Sequence, residues 1–395
     1  MRRLLGDGLF KSALIFIVLG LALGGCGAGA PWSQSSALPP TATGGSGGPN
    51  RADGYYPGEN AHGLPGGLFP CAPASGKLTQ CTIVININIK PNPNGHLLAS
   101  LVPGLHPSDL TAAYNLPEGG SGTVAIVDAF DDPLVEVEMD LYRAVFGLPS
   151  CTSRNGCFQK LNQSGKAGSY PRLNPNWAQE IALDVEMVSA VCPACKILLF
   201  EANSASVDDL GATVDTAARF HPTAISNSYY APEWAGEQAE DVHYNHPGIA
   251  ITASSGDHHA PSYPGASPYV TSVGGTSLSM TSNPRETAWL YSGGGCSAYV
   301  SKPVWQSGTS CGSRRAVDVA AVADPNTGVG ILSIFAGGWV VAGGTSVGAP
   351  IVAASYALAG RGDAPSYSYA RPTFFRSIPS DVQTGLGSPI GVGGF

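Results

Sequence analysis

Charge is scarce in this sequence. Asp, Glu, Lys and Arg make up 12% of its 395 residues, and the balance is acidic, with a formal net charge of −8. Nucleic-acid binding needs a basic face to displace counterions, so no nucleic-acid partner is expected. A long apolar run is missing as well. The stretch Ala13 to Leu23 is short for a membrane span and runs into a glycine-rich flank. There is no internal repeat and no glycine fingerprint for a nucleotide. No second Cys-x-x-Cys joins Cys192-Pro-Ala-Cys195 to make a zinc site.

Glycine (52) and proline (32) are abundant, which points to a compact, loop-rich, exported chain. Its start supports export. Arg2, Arg3 and Lys11 precede the apolar stretch, and Leu23-Gly24-Gly25-Cys26 is similar to a bacterial lipobox. Residues 1–26 therefore read as a signal peptide whose cleavage leaves a lipid-modified Cys26 at the cell surface. An ordinary signal peptide with a chance cysteine, or an uncleaved anchor, is the alternative. Membrane contact is expected through this segment alone. Residues 27–70 lack periodicity and read as a flexible Gly/Pro/Ser-rich tether.

Without Cys26, eight cysteines remain. They fall into close pairs: Cys71 and Cys81, Cys151 and Cys157, Cys192 and Cys195, Cys296 and Cys311. Four local disulfides are the simplest connectivity in an oxidising compartment, although spacing alone does not fix it.

Residues 71–100 form a short pre-segment. Within it Ile83, Ile85, Ile87 and Ile89 alternate with Asn86 and Asn88 on the other face, predicting a half-buried strand over 82–89. From 101 to 395 the pattern is that of one α/β domain. Strands are expected at 123–128, 196–201, 223–227 and 249–254, with helices at 135–146, 177–191, 207–220 and 346–358. Short apolar strands alternating with helices imply a mostly parallel central sheet with helices on both faces. Sites in such folds gather at the carboxyl ends of the strands.

Three stretches carry candidate chemistry. Gly343-Gly344-Thr345-Ser346 brings a hydroxyl to a helix start, with Pro350 expected in about the first turn. Free amides there favour negative charge. Alone, this is a common helix-capping arrangement. Glu180 and Asp184 lie four residues apart on one face of a helix whose other positions are nearly all apolar, so two carboxylates share a costly environment. Asp257, in Ser254-Ser255-Gly256-Asp257, follows a buried strand directly.

Together, Glu180-x-x-x-Asp184, Ser255-Gly256-Asp257 and Gly344-Thr345-Ser346-x-x-x-Pro350 resemble the sedolisin family of serine-carboxyl peptidases. The resemblance runs from about Val102 to Pro389. It includes Pro107-Ser108-Asp109-Leu110 through Pro117, Tyr263-Pro264 through Thr276, Ser292-Gly293-Gly294-Gly295, and Asp318 through Pro325. It implies a subtilisin-like three-layer fold and an acid-active endopeptidase or tripeptidyl-peptidase on protein or peptide substrates. It also implies Ser346 as nucleophile, Glu180 as general base and acid, Asp184 as the group orienting Glu180, and Asp257 as oxyanion donor beside the Ser346 amide. Ser226-Asn227-Ser228-Tyr229 is similar to the edge along which these enzymes lay an extended peptide.

The chain departs from the family in three ways. The region before the domain is far shorter than the usual folded pro-domain, leaving the strand at 82–89 as a remnant at most. Of the calcium ligands, Arg376-Ser377-Ile378 stands where the first aspartate is expected and Asp381 alone is retained, so no cofactor is required and calcium is in doubt. His258 and His259 follow Asp257 as loop histidines that could tune it or bind a metal. Two other readings stay open. One is a catalytically inactive surface lipoprotein that binds peptides or cell-wall material. The other, a neutral subtilisin-type enzyme with Asp128 in its triad, lacks the His-Gly-Thr segment that would supply the histidine.

Overall fold

The computed structural model describes residues 67–89, 98–281 and 284–395; the signal peptide, Cys26 and the tether up to residue 66 lie outside the described residues. Among the described residues no helix is long and apolar enough to cross a membrane.

An eight-stranded sheet organises the domain. Strands β4 (Thr123–Ala129), β5 (Phe158–Asn162), β6 (Lys196–Ala202), β7 (Ala224–Asn227), β9 (Ala250–Ser254), β11 (Thr271–Ser279), β12 (Arg285–Ala288) and β15 (Val319–Val322) compose it. The order is β12-β11-β9-β7-β4-β6-β5, with β15 also on β11. Every pairing is parallel except β11 with β12. Val124, Ala125, Ile126 and Val127 are all at 0% exposure. Successive strand residues point to opposite faces, so both faces of the sheet are covered, as the unbroken apolar run predicts.

Helices α1 (Pro107–Tyr114), α2 (Val135–Val145), α3 (Pro175–Val191), α4 (Val207–Ala218) and α5 (Thr345–Ala359) supply the cover. Helix α3 starts at Asn174, whose side chain accepts from the amides of Asn176 and Trp177, with Pro175 at the first position where its missing N–H costs nothing. It stops at Cys192, just before Pro193. Helix α5 packs on α3 and across β7, β9, β11 and β15. It ends at Gly360 in the left-handed conformation (φ 67°). Pro350 falls in its second turn rather than its first, so the helix lacks the amide that would bond to the Ser346 carbonyl. The Ser228 hydroxyl approaches that carbonyl instead, at 3.5 Å.

The pre-segment is not a separate piece. Strand β2 (Gln80–Cys81) pairs antiparallel with β8 (Tyr229–Pro232), which pairs onward with β10 (Ser262–Tyr263). Strand β3 (Val84–Asn86) lies between β1 (Gly67–Leu68) and β17 (Gly338–Gly343), and β17 continues to β16 (Val329–Ser333). The predicted half-buried alternation is therefore replaced by burial on both sides. Ile83 and Ile85 enter the main core, and Val84 packs with Trp289 and Ala323. An antiparallel pair, β13 (Cys296–Ser301) and β14 (Ser313–Arg315), lies nearby. All four local disulfides are formed: Cys71–Cys81, Cys151–Cys157, Cys192–Cys195 and Cys296–Cys311.

Candidate active site

The turn from β17 into α5 sets Ser346 at the second position of the helix, in the first turn, where amides have no partner within the helix. Gly344 makes that turn with φ 91°, a value that suits glycine. A Cβ there would lie 1.7 Å from the Thr82 carbonyl oxygen and 2.8 Å from Asp257 Oδ2. The absent side chain thus makes room for another backbone to approach.

The three distant stretches converge on this turn. From α3, Glu180 and Asp184 are both at 0% exposure. Glu180 Oε2 accepts from the Ile83 amide at 2.8 Å, and its carboxyl also faces the Ser346 hydroxyl. Asp184 Oδ1 accepts from Ser228 Oγ at 2.9 Å. Asp257, beyond the carboxyl end of β9, accepts through Oδ1 from the Thr345 amide at 2.9 Å and the Thr345 hydroxyl at 2.7 Å. Its Oδ2 is buried without a hydrogen-bond partner.

Burial dominates the electrostatics. It holds the Glu180 carboxyl well above its ordinary range, helped by the nearby charge of Asp128, while the Ser346 hydroxyl and Ile83 amide pull in the other direction. Asp184 is raised by burial and by Asp128 and Glu180, against a single opposing bond from Ser228. Asp257 is pushed up to about 7 by burial, against the two bonds from Thr345. Asp128, near the carboxyl end of β4, is also raised by burial, and neither of its oxygens has a partner. Sequence reasoning weighed Asp128 only as the aspartate of a different triad. Its place beside Glu180 follows from β4 and α3 packing together, which no local pattern reveals.

The residues expected to line a bound peptide differ in their surroundings. Ser226 and Asn227 are buried within β7, between β4 and β9, and Asn227 donates to the Thr252 carbonyl at 2.9 Å. Ser228 is the one of the three whose carbonyl accepts from Thr82, at 3.3 Å. The edge then continues as β8.

The remaining candidates serve elsewhere. The His258 ring stacks on Tyr230 at 4.4 Å, whereas His259 lies 5.3 Å from the Tyr291 ring, so the two do not converge. Asp381 Oδ2 accepts from Ser310 Oγ at 2.9 Å and faces Arg315 Nη1 at 3.4 Å. Arg376 donates to Glu286 at 2.8 Å and to the Ala113 carbonyl at 3.0 Å. Asp381 thus faces a guanidinium, and Arg376 itself is engaged elsewhere. Among the described residues no three His, Cys, Asp or Glu side chains are grouped to hold a metal.

Comparison with known proteins accords with this geometry. No family model matches the chain. Kumamolisin from Bacillus sp. is 29% identical over 354 residues, covering 72% of this chain and 62% of the relative. Xanthomonalisin from Xanthomonas sp. is 24% identical over 363 residues, covering 74% of this chain and 43% of the relative. The chain therefore spans less than two thirds of the length of these relatives. Among solved structures, Pseudomonas sedolisin, a serine-carboxyl proteinase, superposes with a TM-score of 0.63 at 23% identity, covering 73% of this chain and 96% of its own. That likeness carries the fold. Together the sequence matches to kumamolisin and xanthomonalisin and the fold match to sedolisin support a domain similar to the catalytic domain of the sedolisin family.

Proposed function

We propose that the protein hydrolyses peptide bonds in acid, with Ser346 as nucleophile, Glu180 as general base and then acid, Asp184 orienting Glu180, and Asp257 and the Ser346 amide binding the oxyanion. The observation that carries this reading is the convergence on one helix start of Ser346, the Ile83 amide bound to Glu180, and Asp257 bound to Thr345 with its Oδ2 unpartnered.

The charges favour those roles. Glu180, Asp184 and Asp128 share one water-poor pocket, where ionising one raises the others. A single negative charge is best held by Glu180, because the Ile83 amide donates to it and the Ser346 hydroxyl nearby also favours its charged form, whereas Asp184 has one donor and Asp128 none. Glu180 then takes the Ser346 proton as the hydroxyl attacks a carbonyl carbon, and passes it to the departing amine. Asp257 donates to the oxyanion only while protonated, which its burial secures below about pH 7. Acidic operation follows from a carboxyl in place of a histidine as base.

Endopeptidase action fits better than tripeptidyl release. Extended strands pair along β8 on one side of Ser346 and along β17 on the other, which supports a substrate running through both sides. Calcium is not part of the proposal, since the Arg315 cation at Asp381 occupies the charge a metal would answer. Export, with lipid on Cys26 as the finer reading, rests on residues 1–26; globomycin-sensitive processing of the full-length chain would test the lipid.

A pH–rate profile on a denatured protein substrate tests the mechanism. Activity confined to acid and lost in Ser346→Ala is the expected outcome. A neutral optimum, or hydrolysis that survives the substitution, overturns it. An inactive wild type would favour the peptide-binding reading.

A further inference from the structure

Strand β16 is the outer strand of its four-stranded sheet, and its free edge is closed largely by side chains. Alternate amides along a strand point the same way, so those of Gly330, Leu332 and Ile334 line that edge. The Gly330 amide donates to the Leu105 carbonyl at 2.9 Å. The next two donate to carboxyls: Leu332 to Glu186 Oε2 at 2.9 Å, and Ile334 to Glu138 Oε1 at 2.5 Å. Glu186 comes from α3 and Glu138 from α2, and both helices pack on β16. Neither carboxyl has any exposed surface. Their second oxygens take no hydrogen bond from the surrounding backbone, and Asp132 Oδ2 and Tyr142 OH are also buried without a partner.

This edge belongs to the hairpin that presents the nucleophile. Strand β16 turns into β17 through residues 334–337, and β17 runs directly into Gly344, Thr345 and Ser346. We propose that Glu138 and Glu186 are a proton-operated latch on the β16 edge. While neutral they hold the hairpin against α2 and α3, and when the group ionises they release it. The latch itself stands without the peptidase reading; only its effect on turnover rests on that reading.

The charges around the latch set the direction. Facing it are Asp131, Asp132 and Lys160 beside β4 and β5, Glu201 on β6, and Tyr142 and Arg143 on α2. Residues 329–336 bring no titratable group. The two cations are committed elsewhere. Lys160 lies against Asp131 and 3.3 Å from Glu201, while Arg143 donates to the carbonyls of Pro149 at 2.6 Å and Pro193 at 2.5 Å. Glu138 and Glu186 thus have no cation of their own, and several anions in one water-poor space repel. Burial, helped by Asp132, pushes Glu138 up to about 9. Burial also raises Glu186, against the Leu332 amide and with Glu138 and Asp132 adding to it. In a released hairpin both would titrate near their ordinary value of about 4. The closed form therefore keeps protons that the open form gives up, and closure weakens as pH rises toward 9. A carboxylate formed there regains water only by parting from β16, which leaves the Leu332 and Ile334 amides open.

The test uses the full chain carrying Ser346→Ala, so that hydrolysis plays no part. Hydrogen exchange, corrected for the intrinsic rate at each pH, should show protection at Leu332, Ile334 and residues 338–343 falling roughly ten-fold or more between pH 5 and pH 9, while β7 and β9 keep theirs. Glu138→Gln with Glu186→Gln keeps a carbonyl oxygen for each amide but cannot ionise. In that double variant, protection should stay level over the same range. Chymotrypsin at pH 9 should cut the parent after Phe335 or Trp339 and spare the double variant. Equal loss of protection in both chains, or none in the parent, overturns the latch. Should the double variant fail to fold, Glu186→Gln alone should move the opening to higher pH, and an unmoved opening overturns the latch as well. With Ser346 restored, the chymotrypsin step should abolish later hydrolysis in acid by wild type and not by the double variant. If neither chain hydrolyses peptide before that step, the peptidase reading fails, and the exchange result still decides the latch.

Discussion

Helix α3 delivers carboxylates to two buried places, and only one of them has the makings of catalysis. Glu180 and Asp184 share the face toward Ser346. Glu186 lies two residues beyond Asp184, about 200° round the helix, on a different side. There its carboxyl accepts from the Leu332 amide at 2.9 Å. Glu138 accepts from Ile334 at 2.5 Å and Glu201 from Asp132 at 3.1 Å, with Lys160 3.3 Å from Glu201. Desolvation raises both groups, pushing Glu138 and Glu201 up to about 9. A perturbed carboxyl is therefore no sign of a site by itself. The second group ties backbone amides around β16 and β4. The first gathers at the helix start that carries Ser346, with the Thr82 carbonyl close over Gly344.

Substitutions in the two groups should separate those roles, most sharply at Glu180. Glu180→Gln should lower kcat/KM by about 10²–10⁴, the usual contribution of a general base, with the melting temperature in acid unchanged or raised. Glu186→Gln should leave turnover near wild type. Equal losses in the two variants would erase the distinction. Asp257→Ala should cost about 10²–10³ in kcat, as for one oxyanion donor. A rate close to wild type would remove Asp257 from that role.

Asp128→Asn tests the coupling within the first group. Asp128 is pushed up to about 8 by burial and stays neutral in acid while Glu180 holds the charge, so the substitution should leave the acid limb of the pH–rate profile in place. A limb that moves down by about one pH unit would show Asp128 ionised beside Glu180 in acid and overturn that assignment.

The second group should appear instead in stability. Glu138 titrates near 4 in the unfolded chain but is held up to about 9 when folded. The folded chain therefore keeps a proton that the unfolded chain has released. That stabilisation is complete below about pH 4 and is lost as pH rises toward 9. Melting temperature should fall from pH 4 to pH 8, and Glu138→Gln should flatten the fall by about 2–4 °C. An unchanged slope would contradict the burial of this carboxyl. The smallest expected effect is that of chelator. With Arg315 at Asp381, EDTA should leave melting unchanged, and a drop would restore a metal to the site.

The parallel sheet was legible because its signals are local. Unbroken apolar runs at 123–129, 196–202 and 250–254 mark strands buried on both faces, and the apolar helix at 175–191 betrays its carboxylates as unusual. The antiparallel additions were not legible. Strands β12, β13 and β14 are short and mixed in polarity, and their pairing rather than their periodicity makes them strands. Of the segment Ser226 to Tyr229, named by resemblance as a peptide edge, Ser226 and Asn227 lie in β7, enclosed between β4 and β9, while Tyr229 opens β8 and pairs with Cys81, a division that local pattern does not reveal.

By itself the sequence determined the residue types: a serine at a glycine-rich helix start, a carboxylate pair four apart, and an aspartate after a strand. Those depend on spacing within a few residues. Tertiary structure alone decided that Asp128 joins the pair and that Thr82 covers Ser346, 264 residues away. Strand pairing and helix packing at such separations are settled by which surfaces bury each other. The alternation of isoleucines from 83 to 89 was compatible with many partners, and the fold chose the turn that carries Ser346.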